Sequence, residues 1–318
     1  MTDLCLLTAK EAAETATLAN WNAIVTKPKP ALRYHGAKWR IAPWIISHFP
    51  PHKIYVEPFG GAAGVLMQKP RSCAEVYNDL DGEIVNFFRV VRDPAQRAAL
   101  IEALVLTPYA RTEFELAYEP SDDPIERARR LCVRAQMGFG SAGASKGQTG
   151  FRIDTRREYA TAQRIWSEYP DSIVQIGVRF SAVLIENRPA IDVLQQHDGE
   201  STLHYVDPPY MHETRVLQGG MTTGRGGYYR HEMTDEDHEG LLSTLLALRG
   251  MVVVSGYDSD MYHGMLRGWK VMRRNARIAA GRGCGVRTEV IWINPACLAE
   301  IESDSGALFR NSQLGITR

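Results

Sequence analysis

The sequence has no apolar run of the ~18 residues that a membrane-spanning helix needs. Its opening, MTDLCLLTAKEAAETATLANW, lacks a basic start followed by an apolar stretch and a small-residue cleavage site, so it does not read as a secretory leader. A cytoplasmic protein without membrane contact is the expectation. Cysteine is scarce: Cys5, Cys73, Cys132, Cys284 and Cys297 are odd in number, far apart and never in a CxxC pair. That excludes a legible disulfide framework or zinc site, and no metal is expected. There is no excess of charge of either sign, since 37 basic residues balance 37 acidic ones. There is also no internal repeat.

What is present fits a folded α/β chain. With 318 residues, 44% hydrophobic and 23% charged, it can hold one large domain, or one carrying a smaller insertion. After a Pro-rich linker, KPKPAL, a helix is predicted over 40–49, stopping at Pro50-Pro51. Short strands are predicted at 53–57 (KIYVE) and 73–78 (CAEVYN), with a Gly-rich turn and a helix through Met67 between them. A helix over 81–92 follows, with Ile84, Val85, Phe87, Phe88 and Val91 on its apolar face. This alternation argues for a parallel sheet. Residues 94–169 read as mostly helical, broken by GFGSAGASKGQTG. Strands return at 181–186, 203–206, 251–255, 269–273 and 289–293, with helices at 191–196 and 234–248. Thr234 is the expected N-cap of the last helix, with Asp237 three residues on.

Two motifs carry chemistry. Asp207-Pro208-Pro209-Tyr210 follows the apolar strand LHYV. Two prolines end the strand and stiffen the backbone. At the carboxyl edge of a parallel sheet the tetrapeptide projects into the crevice where ligands bind. The Asp207 carboxylate and the Pro208 carbonyl can each accept one N–H of an exocyclic amine, and Tyr210 offers a face for a planar base. A plain proline turn closing a strand is the competing reading. In YVEPFGGAAGV, Glu57 ends a strand, and Gly60, Gly61 and Gly64 let the backbone approach a ligand. Asp79 follows Gly60 by nineteen residues, the spacing at which an acid meets ribose hydroxyls. This turn does not match GxGxxG, which indicates a nucleoside cofactor other than a dinucleotide.

RYHGAKWRI, YVEPFGGAAGV, EVYNDLDGEIVNFF and DPPY, in that order, resemble the Dam-type (D12 class) DNA adenine-N6 methyltransferases, particularly phage and prophage forms. The later YRHEMTDEDHEGL, VVVSGYDS and TEVIWINP are similar to that group as well. The resemblance runs from about Ala31 to Pro295. It implies a Rossmann-like class I methyltransferase sheet, mostly parallel with one antiparallel strand near the C-terminus, and an inserted, mainly helical target-recognition subdomain. The corresponding boundaries are an extension over 1–30, a catalytic domain over 31–93 and 180–298, the subdomain over 94–179 and a tail over 299–318. It further implies S-adenosyl-L-methionine as cofactor, contacted by Tyr34 and Lys38. Glu57, Phe59, Gly60 and Gly61 would cradle its methionine portion, and Asp79 would bind its ribose. Asp207, Pro208, Pro209 and Tyr210 would hold the target adenine and form the catalytic set. Two positions depart from the family pattern: Ala63 stands where Gly is frequent, and Tyr34 where Trp is frequent.

Double-stranded DNA is the expected partner and a monomer the expected state, with a weak dimer as the alternative. Residues 261–288 contain no acid but seven Lys and Arg side chains, and a second basic stretch surrounds residues 127–164. From these and the Gly-rich segment after DPPY come the candidate DNA contacts Arg134, Lys146, Arg152, Arg156, Arg215, Arg225, Arg273 and Arg274. Solvated charged faces are the alternative for all of them. His212 and His231 are assigned no role. Cytosine-N4, RNA or protein-glutamine methylation, and a non-catalytic DNA-binding relative, stand as rival functions. The first more often goes with Ser in place of Asp207, and glutamine methylation with Asn there.

Overall fold

The computed structural model describes residues 29–141, 143–144, 148–153, 161–211, 231–280 and 283–303, with the side chains of 276–287 left aside. Seven strands form one sheet: β1 (Ile54–Glu57), β2 (Ala74–Asn78), β3 (Val183–Glu186), β4 (Thr202–Val206), β5 (Met251–Gly256), β6 (Lys270–Ala280) and β7 (Gly283–Ile293). Their order is β3-β2-β1-β4-β5-β7-β6. β3, β2, β1, β4 and β5 pair in parallel, and β7 runs antiparallel to both of its neighbours. This is the mostly parallel, Rossmann-like sheet expected from the sequence. The connection order reverses between β1 and β4, which opens the crevice at their carboxyl ends.

The helices are α1 (Ala42–Ile46), α2 (Gly82–Arg92), α3 (Pro94–Leu106), α4 (Arg111–Leu116), α5 (Pro124–Met137), α6 (Ala162–Phe180), α7 (Ala190–Gln196), α8 (Asp235–Ala247) and α9 (Asp260–Met265), with a last helical stretch over 295–303. Their ends follow local chemistry. Asp81 caps α2 by accepting from Glu83 N, and Asp93 ends that helix while capping α3 through Ala95 N and Gln96 N, with Pro94 in the first turn. Thr234 and Asp237 form the reciprocal capping box of α8.

Side-chain alternation along the strands sorts the sheet into two faces. Tyr55, Tyr77, Tyr205, Val253 and Ile291 join a large core with α2 to α6, where Phe88 stacks on Phe180 at 4.1 Å. Val206, Val254 and Trp292 face the other way, against α8 and α9. Glu57, Asp207, Ser255 and Glu289 fall in step with the first set.

Two expectations need correction. The predicted helix through Met67 is a series of turns over residues 61–69. Its hydrogen bonds mix i+3 and i+4 spacing, and Ala63 at φ 55° breaks helical propagation. The last two strands are longer than their apolar cores suggest, because the β6–β7 ladder continues by backbone pairing from Lys270↔Ile293 to Ala280↔Gly283. Periodicity cannot show a ladder held by main-chain groups.

Candidate active site

A cleft of about 380 Å³ opens where the carboxyl ends of β1, β2 and β4 meet. Tyr34, Lys38, Glu57, Phe59, Gly60, Gly61 and Asp79 all line it, together with Asp207 and Pro209. Residues of the two principal motifs, 150 positions apart in the chain at Glu57 and Asp207, therefore share one wall.

The glycine turn is built around Tyr77. This fully buried ring donates its hydroxyl to Gly61 O at 2.7 Å, and a Cβ at Gly60 would run into the ring itself. At Gly61 (φ 46°) an added Cβ would crowd the Tyr34 ring, and the Gly61 N–H donates to Asp79 Oδ2 at 2.8 Å. Asp79 Oδ1 accepts from Asp81 N at 2.8 Å. Each oxygen retains room for a further donor. Gly60→Ala is expected to lower stability by ~1–3 kcal/mol and to weaken any ligand of this turn, measurable as a drop in Tm with loss of cofactor affinity. Ala63 holds a left-handed conformation that costs an alanine ~1 kcal/mol. Ala63→Gly should therefore leave the site intact and leave stability unchanged or raised, with Tm as the readout.

Glu57 is 2% exposed and accepts from Tyr55 Oη at 2.7 Å and from Leu66 N at 3.1 Å. Burial pushes its carboxyl up to about 8, opposed by the Tyr55 hydrogen bond and reinforced by the nearby Asp207 charge. The folded protein thus keeps a proton that the unfolded chain has lost. Stability from this group is present below its unfolded pKa and is lost as pH rises towards about 8. The Tm of the wild type should fall relative to Glu57→Gln between about pH 5 and about pH 8, and parallel curves would deny the effect. Burial likewise lifts the Asp79 carboxyl to about 6, partly offset by its two backbone donors.

At the other end of the cleft, Lys38 Nζ lies 2.9 Å from Asp207 Oδ2 and 4.6 Å from the centre of the Tyr210 ring, and donates to Gly36 O. Lys38 is 7% exposed. Asp207 Oδ1 accepts from Ser255 Oγ at 2.8 Å. Tyr210 donates its hydroxyl to Glu289 Oε2 at 2.9 Å, and Tyr257 packs edge-on against its ring at 4.4 Å. Pro208 is buried.

A carboxylate-lined cleft beside an Asp-Pro-Pro-Tyr turn is where the family comparison becomes decisive. Residues 34–263 match the D12 class N6 adenine-specific DNA methyltransferase family. The chain belongs to that family. It is therefore an adenine-specific DNA methyltransferase by class, and that class uses S-adenosylmethionine. No curated protein matches the chain.

The methyltransferase places its DNA-contact candidates unevenly. Arg134 is 8% exposed and turned inward, donating to Ala117 O and lying 3.6 Å from Glu83 Oε2. That corrects its assignment as a DNA contact, because a buried guanidinium with internal partners does not reach a phosphate. Arg152 is half-buried beside the Gly138↔Phe151 bridge that closes the glycine-rich loop. Arg273 and Arg274 are exposed neighbours on β6 that point to opposite faces. Arg273 pairs with Asp258 at 3.2 Å, whereas Arg274 lies over Trp44. Lys146, Arg156, Arg215 and Arg225 lie outside the described residues.

The later motifs YRHEMTDEDHEGL, VVVSGYDS and TEVIWINP contain several side chains of this site to which the sequence assigned no role there. His231, Glu232, Glu236 and Asp237 line the cleft from the start of α8. Ser255 and Glu289 hold the DPPY side chains from β5 and β7. The available signal was strand parity, which puts Ser255 and Glu289 on the face that carries Asp207. Among the described residues no His, Cys, Asp and Glu group is arranged to hold a metal ion, and no helix is long and apolar enough to cross a membrane.

Proposed function

We propose that this methyltransferase binds S-adenosylmethionine in the cleft and methylates N6 of an adenine flipped out of double-stranded DNA at a specific site. The observation that carries this reading is the Lys38 ammonium, held against Asp207 Oδ2 and over the face of Tyr210. An N–H donor above an aromatic ring, directed at a carboxylate, is the arrangement that an adenine amine would adopt there. The lysine marks the amine's position and must withdraw as the base enters.

The residues fit the cofactor. Asp79 supplies negative charge for a cationic ligand and acceptor capacity for a ribose, Glu57 adds a buried carboxyl to the same wall, and the Gly60–Gly61 turn lets backbone approach. When bound, S-adenosylmethionine supplies an electrophilic methyl group on a sulfonium that departs as a neutral thioether. Asp207 Oδ2 and the Pro208 carbonyl accept the two N–H groups of N6, which aims the nitrogen lone pair at the methyl carbon. Asp207 then stabilises the positive charge that develops on nitrogen as the carbon–nitrogen bond forms. The excess proton leaves N6 for water. Tyr210, held by Glu289 and Tyr257, stacks on the base and offsets part of the ~few kcal/mol that unstacking costs.

The helices that follow α2 and precede β3 are proposed to read the target, as the inserted subdomain over 94–179, with a monomer sufficient for one base on one strand. Nucleoside mass spectrometry of unmethylated plasmid DNA, incubated with the protein and S-adenosylmethionine, tests the reading. N6-methyladenine in the digest is the expected product. N4-methylcytosine would overturn the base assignment, and no modified nucleoside would overturn the reaction on DNA.

A further inference from the structure

The motif VVVSGYDS contributes one side chain to the catalytic carboxylate that the family reading leaves without a task. Val206 and Val254 are register partners in the β4–β5 ladder, so Asp207 and Ser255 stand side by side at the sheet's carboxyl edge. Strand alternation turns both towards the same face. Ser255 is 1% exposed, and its Oγ lies 2.8 Å from Asp207 Oδ1 and 2.9 Å from Tyr205 Oη, which is itself buried. The direction of this chain follows from chemistry. An ionised carboxylate only accepts, so the single Ser255 hydroxyl proton goes to Asp207, and Tyr205 must donate to Ser255.

The consequence concerns which oxygen meets the substrate. An aspartate's terminal torsion is broad and close to twofold, so an unrestrained carboxylate samples several orientations. Here Oδ1 is committed to Ser255, which leaves Oδ2 pointing at Lys38 Nζ and the cleft. We propose that Ser255 is a positioning residue for methyl transfer, its hydroxyl fixing Asp207 so that Oδ2 faces the adenine amine. This rests on the assignment of Asp207 as the amine's acceptor. Ser255 touches neither substrate nor cofactor, so its effect belongs to the transfer step rather than to binding.

The test is single-turnover methyl transfer at saturating S-adenosylmethionine and DNA for the wild type, Ser255→Ala and Ser255→Thr. The alanine variant should transfer ~10- to 100-fold more slowly, with dissociation constants for cofactor and DNA changed less than ~2-fold. Threonine, which keeps the hydroxyl, should recover most of the rate. A wild-type rate in Ser255→Ala overturns the proposal. So does an equal loss in both variants, which would make side-chain volume rather than the hydroxyl the cause, and so does rate loss matched by loss of both ligands. If the alanine variant does not fold, Ser255→Cys fills the same volume with a poor donor; slow transfer is again expected, and a wild-type rate overturns the idea. A wild-type protein that transfers no methyl group to adenine would overturn the underlying reading of Asp207, whereas an active wild type with an indifferent Ser255 overturns only this inference.

Discussion

Asp207→Ala is expected to slow methyl transfer by ~10³-fold or more while leaving affinity for S-adenosylmethionine within a few-fold of wild type. The reason lies in where charge develops. The amine is neutral before transfer and positive afterwards, so an acceptor aligned with its N–H contributes more in the transition state than in the ground state. Asp207 Oδ2 is the oxygen proposed for that position, on the ground that Lys38 delivers a positively charged N–H donor to it at 2.9 Å. Removing the carboxylate also takes away the charge that Asp207 places 2.9 Å from the Lys38 ammonium, which is 7% exposed. Asp207→Asn is the companion variant: it keeps the shape and one acceptor, and it should retain cofactor binding with transfer still strongly reduced. Single-turnover transfer with a calorimetric titration of the cofactor separates the two quantities. Near-wild-type turnover in Asp207→Ala would remove this residue from the mechanism.

Asp79→Ala is expected to weaken cofactor binding by ~10²-fold, with the transfer rate at saturating cofactor largely preserved. Two losses combine. The variant lacks the acceptor proposed for the ribose hydroxyls, and it releases Gly61 N, which Asp79 Oδ2 ties down at 2.8 Å. The turn that carries Gly60 and Gly61 then loses one of its ties to the end of β2, keeping those from Gly60 N to Asn78 O and from Tyr77 Oη to Gly61 O. Asp79→Asn retains an acceptor and should lose less. The opposite signatures of the two aspartates, one in rate and one in affinity, make the pair informative together. Unchanged affinity in Asp79→Ala, measured by titration, would show that the cleft's β2 edge does not hold the cofactor.

Much of this fold was legible because its signals are local. Short β-branched runs bounded by turn residues marked β1, β2, β4 and β5 within a residue or so, and Thr234 with Asp237 marked the start of α8. The glycine turn and DPPY were legible for the same reason, since each is contiguous and its chemistry needs those residue types. The helix expected through Met67 failed where a local rule was overridden: Ala63 adopts φ 55° because the turn is held from outside, by Tyr77 and Asp79. Arg134 failed differently. A basic run reads as a solvated face, yet one of its members turns into the contact between α5 and its neighbours, which only packing decides.

The sequence by itself determined the class of sheet, the carboxylates and glycines of the two motifs, and the order in which they arrive. Those properties follow from periodicity and from side-chain chemistry along a contiguous stretch. Only the tertiary structure decided that Lys38 meets Asp207, that Ser255 commits one of its oxygens, and that Glu289 holds the hydroxyl of Tyr210. These partners lie far apart in the chain and on different elements. Their meeting depends on strand order and register, which are set by the packing of the whole sheet rather than by any segment of it.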